Sequence, residues 1–263
     1  MLGGKWAAAM VAAGLMILAA SGAQADSTHI AKIQAALDAW LADRSSAEKV
    51  TGVAAYVSFG DTGPAIEAFA GKIGSGPQDA PVRQGTLFQM GSTSKSFTAA
   101  LILKLEAAGK LSIDDALGKW LPQYPAWKDV TIQRLLNMTS GIPNYSETEA
   151  MSRIWINDPT RELSAENLID LVYPAGSGDL PKSKGYHYSN TNYILAGMIA
   201  AKAAGQSYRD LVHHMIIEAF GLHSTFYENG TYPDPVTDRL AHGYFDNPAC
   251  ADYQPKGTQT WNH

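Results

Sequence analysis

The sequence predicts an α/β fold: an antiparallel sheet flanked by helices, joined to an all-helical lobe. Three observations predict it. Apolar residues follow helical spacing from His29 to Arg44, two β-prone runs joined by turn residues come next, and from Leu111 to about Leu222 no comparable strand alternation returns. The composition suits a packed domain, since 263 residues with 46% hydrophobic and 17% charged side chains can bury a large core.

The first residues, "MLGGKWAAAMVAAGLMILAASGAQADS", place Lys5 before an apolar run from Ala7 to Ala20 and end it with Ala23-Gln24-Ala25. That order reads as a secretory signal peptide, residues 1–25, cut after Ala25; the run falls short of the roughly 18 apolar residues a membrane span needs. The expected location is periplasmic or secreted, with no stable membrane span after cleavage. Loss of Lys5 leaves 19 basic against 25 acidic side chains, a net charge near −6. Nucleic acid is not an expected partner for such a chain. Cys250 is the single cysteine, so it forms no internal disulfide and has no Cys-x-x-Cys partner for a metal.

The mature region, 26–263, divides by pattern into an N-terminal part of an α/β lobe (26–110), a mainly helical lobe (111–222) and a return segment (223–263). Ile30, Ile33, Leu37, Trp40 and Leu41 mark a first helix with one face on a sheet. "TGVAAYVSFG" and "PAIEAFAGKI", joined by Asp61-Thr62-Gly63-Pro64, mark a hairpin. "FQMGSTSKSFTAALILKLEAAGK" marks a second helix with Phe97, Leu101, Leu105 and Ala108 buried and Gly109 as its stop. The tail is rich in turn formers and shows no closing helix or strand. A two-stranded hairpin alone is marginal, so the expectation is a sheet short of strands.

Two Ser-x-x-Lys pairs occur, and the spacing alone is weak evidence. Ser46 and Lys49 lie in what reads as a charged linker with no apolar helix behind it. Ser92 follows Gly91 and opens an apolar helix, which sets its hydroxyl and N–H at the positive end of the helix dipole, with Lys95 one turn on. A serine hydroxyl becomes a nucleophile when an adjacent base takes its proton, and a lysine can be that base. An N-cap serine beside a solvated lysine is the bland alternative. Against it stands "GYHYSNTNYILAGMIAAKAAG", where Tyr188-Ser189-Asn190 opens another apolar helix and brings a phenol and an amide to a loop-to-helix junction.

With these stretches the sequence resembles the serine β-lactamase and penicillin-binding-protein superfamily, in particular the branch of class C β-lactamases, D-alanyl-D-alanine carboxypeptidases and related esterases. The resemblance runs from about residue 30 to residue 260 and rests on "GSTSKSFTAALILKLEAAGKLSIDD", "VTIQRLLNMTSGIPNY", "YHYSNTNYILAGMI", and "AFGLHSTFY" followed by "DRLAHGY". It implies a β-lactamase/transpeptidase-like fold and a serine hydrolase with no cofactor and no metal. The catalytic residues it implies are Ser92 as nucleophile, Lys95 as the group that helps deprotonate it, Tyr188 as proton relay to the leaving group and activator of water, and Asn190 as support for Lys95 and the substrate amide. The Ser92 N–H would be one oxyanion donor. The implied substrates are small molecules or peptides: β-lactams, D-alanyl-D-alanine peptides or esters. Oligomeric state is not legible. Glu218 and Glu228 lack the surroundings of a class A deacylating glutamate, which disfavours that class.

The family's third motif, Lys-Thr-Gly or a His-x-Gly variant, is missing: Lys202 precedes Ala203, Lys256 precedes Gly257, and no histidine begins His-x-Gly. The resemblance implies that His242-Gly243, within "DRLAHGY", is loop. The expectation is a C-terminally incomplete chain of impaired activity. "PAGSGDLPKSKGYHYSN", with Lys184, and Ala219-Phe220 also depart from the family pattern. Other readings fare worse. No serine sits in Gly-x-Ser-x-Gly, His213-His214 are adjacent where a zinc site wants spaced ligands, and Trp120, Trp127, Trp155, Tyr124 and Tyr145 read as core anchors before a carbohydrate surface. A carboxylesterase of the same fold and a non-catalytic penicillin-binding-like scaffold stay open as alternatives.

Overall fold

The structure is a computed structural model that describes residues 27–60, 64–158, 161–174, 185–228, 230–244 and 260–261. The expected signal peptide and Cys250 lie outside them, as does Lys184. The chain forms two compact units, Met1–Gln84 and Gly85–His263.

In the first unit, helix α1 (Ser27–Glu48) is followed by strands β1 (Gly52–Ser58) and β2 (Ala65–Gly71), which pair antiparallel from Gly52 opposite Gly71 to Ser58 opposite Ala65. Alternation decides the sheet's faces: Ile66, Ala68 and Ala70 of β2 are buried while Glu67 between them is exposed. Helix α1 packs on β2 through Ile33, Leu37 and Leu41, all half-buried, and Gln34 Nε2 donates to the Phe69 carbonyl at 3.0 Å. Trp40 and Ile30, assigned by spacing to the packed face, are exposed, because a two-stranded ribbon is narrower than the stripe the helix offers it. Ser46 lies in the last turns of α1, not in a linker, and is exposed.

The second unit carries the other elements. Helix α2 (Ser94–Ala107) is preceded by one 3₁₀ turn, Gly91–Thr93, so Ser92 sits in that tighter turn and not in the α-helix itself. Its buried residues are Thr98, Leu101, Ile102 and Leu105, with Phe97 half-buried; Ala108 caps the helix and is exposed, since the chain turns away at Gly109 with φ +67°. The expected helical stretch follows as α3 (Leu117–Trp120), α4 (Ile132–Leu136), α5 (Glu149–Asn157), α6 (Ala165–Asp170), α7 (Asn190–Ala204) and α8 (Tyr208–Val212), with a π-helical turn at His213–Glu218.

Helix α7 is the hub of this core. Its Leu195, Ile199 and Ala200 pack with Leu101 and Ile102 of α2 and Leu135 of α4, all fully buried. Gly205, with φ +67°, ends α7. Trp127 and Tyr124 are buried with half-buried Tyr173 in an aromatic cluster, ring centroids 4.9 to 6.0 Å apart, which agrees with their reading as core anchors. Half-buried Trp120 donates its Nε1–H to Asp115.

The described residues of the return segment hold one short helix and two short strands. Helix α9 (Asp234–Thr237) leads to Leu240, whose flanking residues bond Leu87: its N–H donates to Arg239 O at 2.7 Å and its carbonyl accepts from Ala241 N at 2.8 Å. Strand β3 (Gly243–Tyr244) then pairs antiparallel with β4 (Thr260–Trp261). Gly243 is therefore strand where loop was expected, and the tail does end in a short strand; two-residue strands leave too little alternation for a sequence to show.

Candidate active site

The site forms where the start of α2 meets the start of α7. Gly91, at φ +53°, bends the chain into the 3₁₀ turn, a backbone state that a Cβ would disfavour, and so delivers Ser92 to the surface with Lys95 one turn behind it. Ser189 is the N-cap residue of α7, in extended conformation, with Tyr188 on the loop side and Asn190 on the helix side. Its own side chain turns inward, where Ser189 Oγ donates to the Pro143 carbonyl at 3.1 Å.

All four residues singled out in the sequence meet here. Ser92 Oγ lies 2.7 Å from Tyr188 OH and 3.0 Å from Lys95 Nζ, and Lys95 Nζ donates to Asn190 Oδ1 at 2.6 Å. The ammonium also lies 4.9 Å from the centre of the Tyr188 ring and 5.8 Å from that of Tyr193. An ammonium has donors only, so Ser92 Oγ accepts from Lys95, while in the contact between Ser92 and Tyr188 either hydroxyl can be the donor. Desolvation pushes the Tyr188 phenol up, but hydrogen bonds from Lys95 and Ser92 and the Lys95 charge outweigh it and hold the phenol below the usual tyrosine value. The arrangement thus offers a serine oxygen a nearby proton acceptor whose anionic form is stabilised.

Sequence reasoning missed the groups behind these four. Asn190 Nδ2 donates to Ser146 Oγ at 2.9 Å, and Ser146 Oγ donates to Asn144 Oδ1 at 3.0 Å; that same oxygen accepts the Asn190 N–H at 3.0 Å. Thr191 Oγ1 donates to the Pro143 carbonyl at 2.7 Å and accepts the Tyr145 N–H at 3.1 Å. The segment "GIPNYS" is thereby laced onto the first turn of α7 and orients the Asn190 amide with its oxygen toward Lys95. The one local signal was Asn144-Tyr145-Ser146 after a proline, a sequence suited to an Asx turn. The Tyr145 and Tyr193 phenols are both raised, first by burial and then by Tyr188.

The adjacent pair His213-His214 is bonded elsewhere. His213 Nε2 lies 2.9 Å from the Tyr227 carbonyl, and exposed His214 pairs with Glu218. Among the described residues no group of three or more His, Cys, Asp or Glu side chains is arranged to hold a metal ion.

A family model described as beta-lactamase matches residues 37–259. The chain belongs to the beta-lactamase family. Penicillin-binding protein 4* of Bacillus subtilis strain 168 is 35% identical to it over 166 residues, which cover 62% of this chain and 36% of that protein. Among solved structures, the D-amino acid amidase of Ochrobactrum anthropi SV3 complexed with D-phenylalanine is similar with a TM-score of 0.66 and 28% identity, over 82% of this chain and 57% of the amidase. A penicillin-binding protein from Bacillus halodurans is similar with a TM-score of 0.64 and 27% identity, over 84% of this chain and 64% of that one. The fold is therefore β-lactamase/transpeptidase-like, and the family is one of serine hydrolases. This beta-lactamase-family chain spans about a third of the length of the curated relatives it matches.

Proposed function

We propose that the protein is an exported serine hydrolase that works through an acyl-enzyme on β-lactams or D-alanyl-D-alanine peptides. The observation that carries the reading is the contact of Ser92 Oγ with both Tyr188 OH and Lys95 Nζ. Ser92 Oγ attacks the amide carbonyl carbon as its proton passes to the Tyr188 oxygen, with Lys95 stabilising the negative charge on both oxygens. Tyr188, which takes that proton as its phenolate, then gives it to the leaving nitrogen; the phenolate so restored later takes a proton from the water that attacks the ester and passes it to Ser92 Oγ as the ester bond breaks. Asn190 holds Lys95 in place, and the Ser92 N–H stabilises the oxyanion.

The similarity to penicillin-binding proteins and to a D-amino acid amidase supports a substrate amide with a D-configured residue. Turnover by these 263 residues is proposed to be weak, because no Lys-Thr-Gly, Lys-Ser-Gly or His-x-Gly follows Tyr188. Loss of one oxyanion donor costs roughly a hundredfold to a thousandfold in rate. Export rests on residues 1–25, and the mass of chain recovered from the periplasm, beginning at Asp26, checks it.

A substrate series tests the assignment. Hydrolysis of a penicillin, a D-alanyl-D-alanine peptide, its L,L-isomer and a simple aryl ester is compared by kcat/KM. Preference for the penicillin or the D,D-peptide supports the reading. Turnover of the aryl ester alone would make the chain a carboxylesterase instead.

A further inference from the structure

Met138 lies in the loop after α4 with φ +60°, a left-handed backbone conformation that is rare for a residue with a long side chain. The surrounding bonds hold it there. Arg134 donates to the Thr139 carbonyl at 3.0 Å through Nε and 2.7 Å through Nη2, the Thr139 N–H returns to the Arg134 carbonyl at 3.0 Å, and Ser140 Oγ donates to Asn192 Oδ1 at 2.7 Å. A backbone state of this kind is strained for a residue with a Cβ, so these bonds hold it against relaxation.

In that conformation Met138 presents two acceptors to the strand of chain that leads into α7. Its carbonyl accepts the His187 N–H at 2.8 Å, and its sulfur accepts the Ser189 N–H at 3.4 Å and Asn192 Nδ2 at 3.4 Å. The two peptide donors it engages are the neighbours of Tyr188 on either side. The residue is buried, 6% exposed.

We infer that Met138 is a positioning residue for Tyr188: its left-handed backbone and its sulfur clamp the peptides before and after Tyr188, and so hold the phenol oxygen against Ser92. The inference rests on the reading of Tyr188 as the proton carrier, but the clamp itself is a statement about geometry. A hydrophobic side chain that merely filled the pocket would do its work equally well without an acceptor atom.

That difference supplies the test, carried out on the 263-residue chain labelled with ¹³Cζ-tyrosine, with the Tyr188 signal assigned by its loss in Tyr188→Phe. Met138→Leu keeps the volume and removes the acceptor; Met138→Gly removes the acceptor and suits the backbone, which guards against a leucine chain that does not fold. Met138→Asn and Met138→Gln restore an acceptor at reaches that bracket that of the sulfur, and asparagine also tolerates a positive φ. The clamp predicts that Tyr188 titrates closer to the ordinary tyrosine value in the leucine and glycine chains, and that the better amide lies nearer the wild type. Acylation of Ser92 by a penicillin should slow by about tenfold to a hundredfold in the leucine chain, the scale expected of a misplaced catalytic group. The reverse order, with leucine like the wild type and both amides displaced, would reduce Met138 to packing and overturn the inference, as would four variants that all titrate alike. The titration needs no substrate, so a wild-type chain that no β-lactam acylates would refute the proposed function and leave this test in force.

Discussion

Lys95 is the residue on which the site converges: its ammonium serves Ser92 Oγ and Asn190 Oδ1 and lies against the rings of Tyr188 and Tyr193. Removing it withdraws the charge that favours the Tyr188 phenolate and frees the Asn190 amide at once. Lys95→Ala should therefore slow acylation by about a hundredfold to ten-thousandfold, the range of a lost proton-transfer group, with Lys95→Arg no rescue because its planar fork cannot take the place of a compact ammonium. Stopped-flow acylation rates measure this, and an alanine chain within tenfold of the wild type would leave Tyr188 sufficient alone. At this scale the sequence was legible wherever partners lie within one helical turn. Ser92 with Lys95 is such a pair, whereas Tyr188 and Asn190, which bond Ser92 and Lys95 across about 95 residues, are named through the resemblance of the stretch around them. Met138 was not legible, because it reaches Ser189 across 51 residues of chain, and Asn144 and Ser146 show no more than a turn signal.

At the scale of elements, the site depends on the packing of α2 against α7, since each helix brings half of the four side chains to its start. Leu195 is fully buried in α7, within the cluster that also holds Leu101 and Leu135. Leu195→Ala should destabilise the chain by about 2–5 kcal/mol, the usual cost of a large core truncation, and lower the urea midpoint accordingly. A cost below about 0.5 kcal/mol would mean that α7 is not the hub of this core. The same helices show what periodicity can carry. Leu101 and Leu105 were placed in the core by spacing and are buried there, whereas Ala108 fell one residue past the helix end and is exposed. Spacing states which residues share a face; how much of that face is covered depends on a neighbour from elsewhere in the chain. Trp40 is exposed for that reason, and the two-residue strands β3 and β4 offered no periodicity at all.

At the scale of the whole molecule, Ser92, Lys95, Tyr188, Asn190 and Met138 all belong to the unit Gly85–His263, so one packed core positions the entire constellation. The chain spans about a third of its curated relatives, and acylation asks less of it than turnover does. Under the proposed function, forming the ester needs a nucleophile and a proton acceptor, the roles proposed for Ser92 and Tyr188, whereas turnover needs a second, hydrolytic step as well. If Ser92 is an acylatable nucleophile, the intact mass of the protein will show it. The purified chain is incubated with a penicillin, quenched in acid and weighed beside Ser92→Ala, with circular dichroism to show that both are folded. The expected result is a mass gain equal to one penicillin in the wild type and none in the alanine variant. A folded wild-type chain that gains no mass, or an adduct that persists in Ser92→Ala, would contradict it.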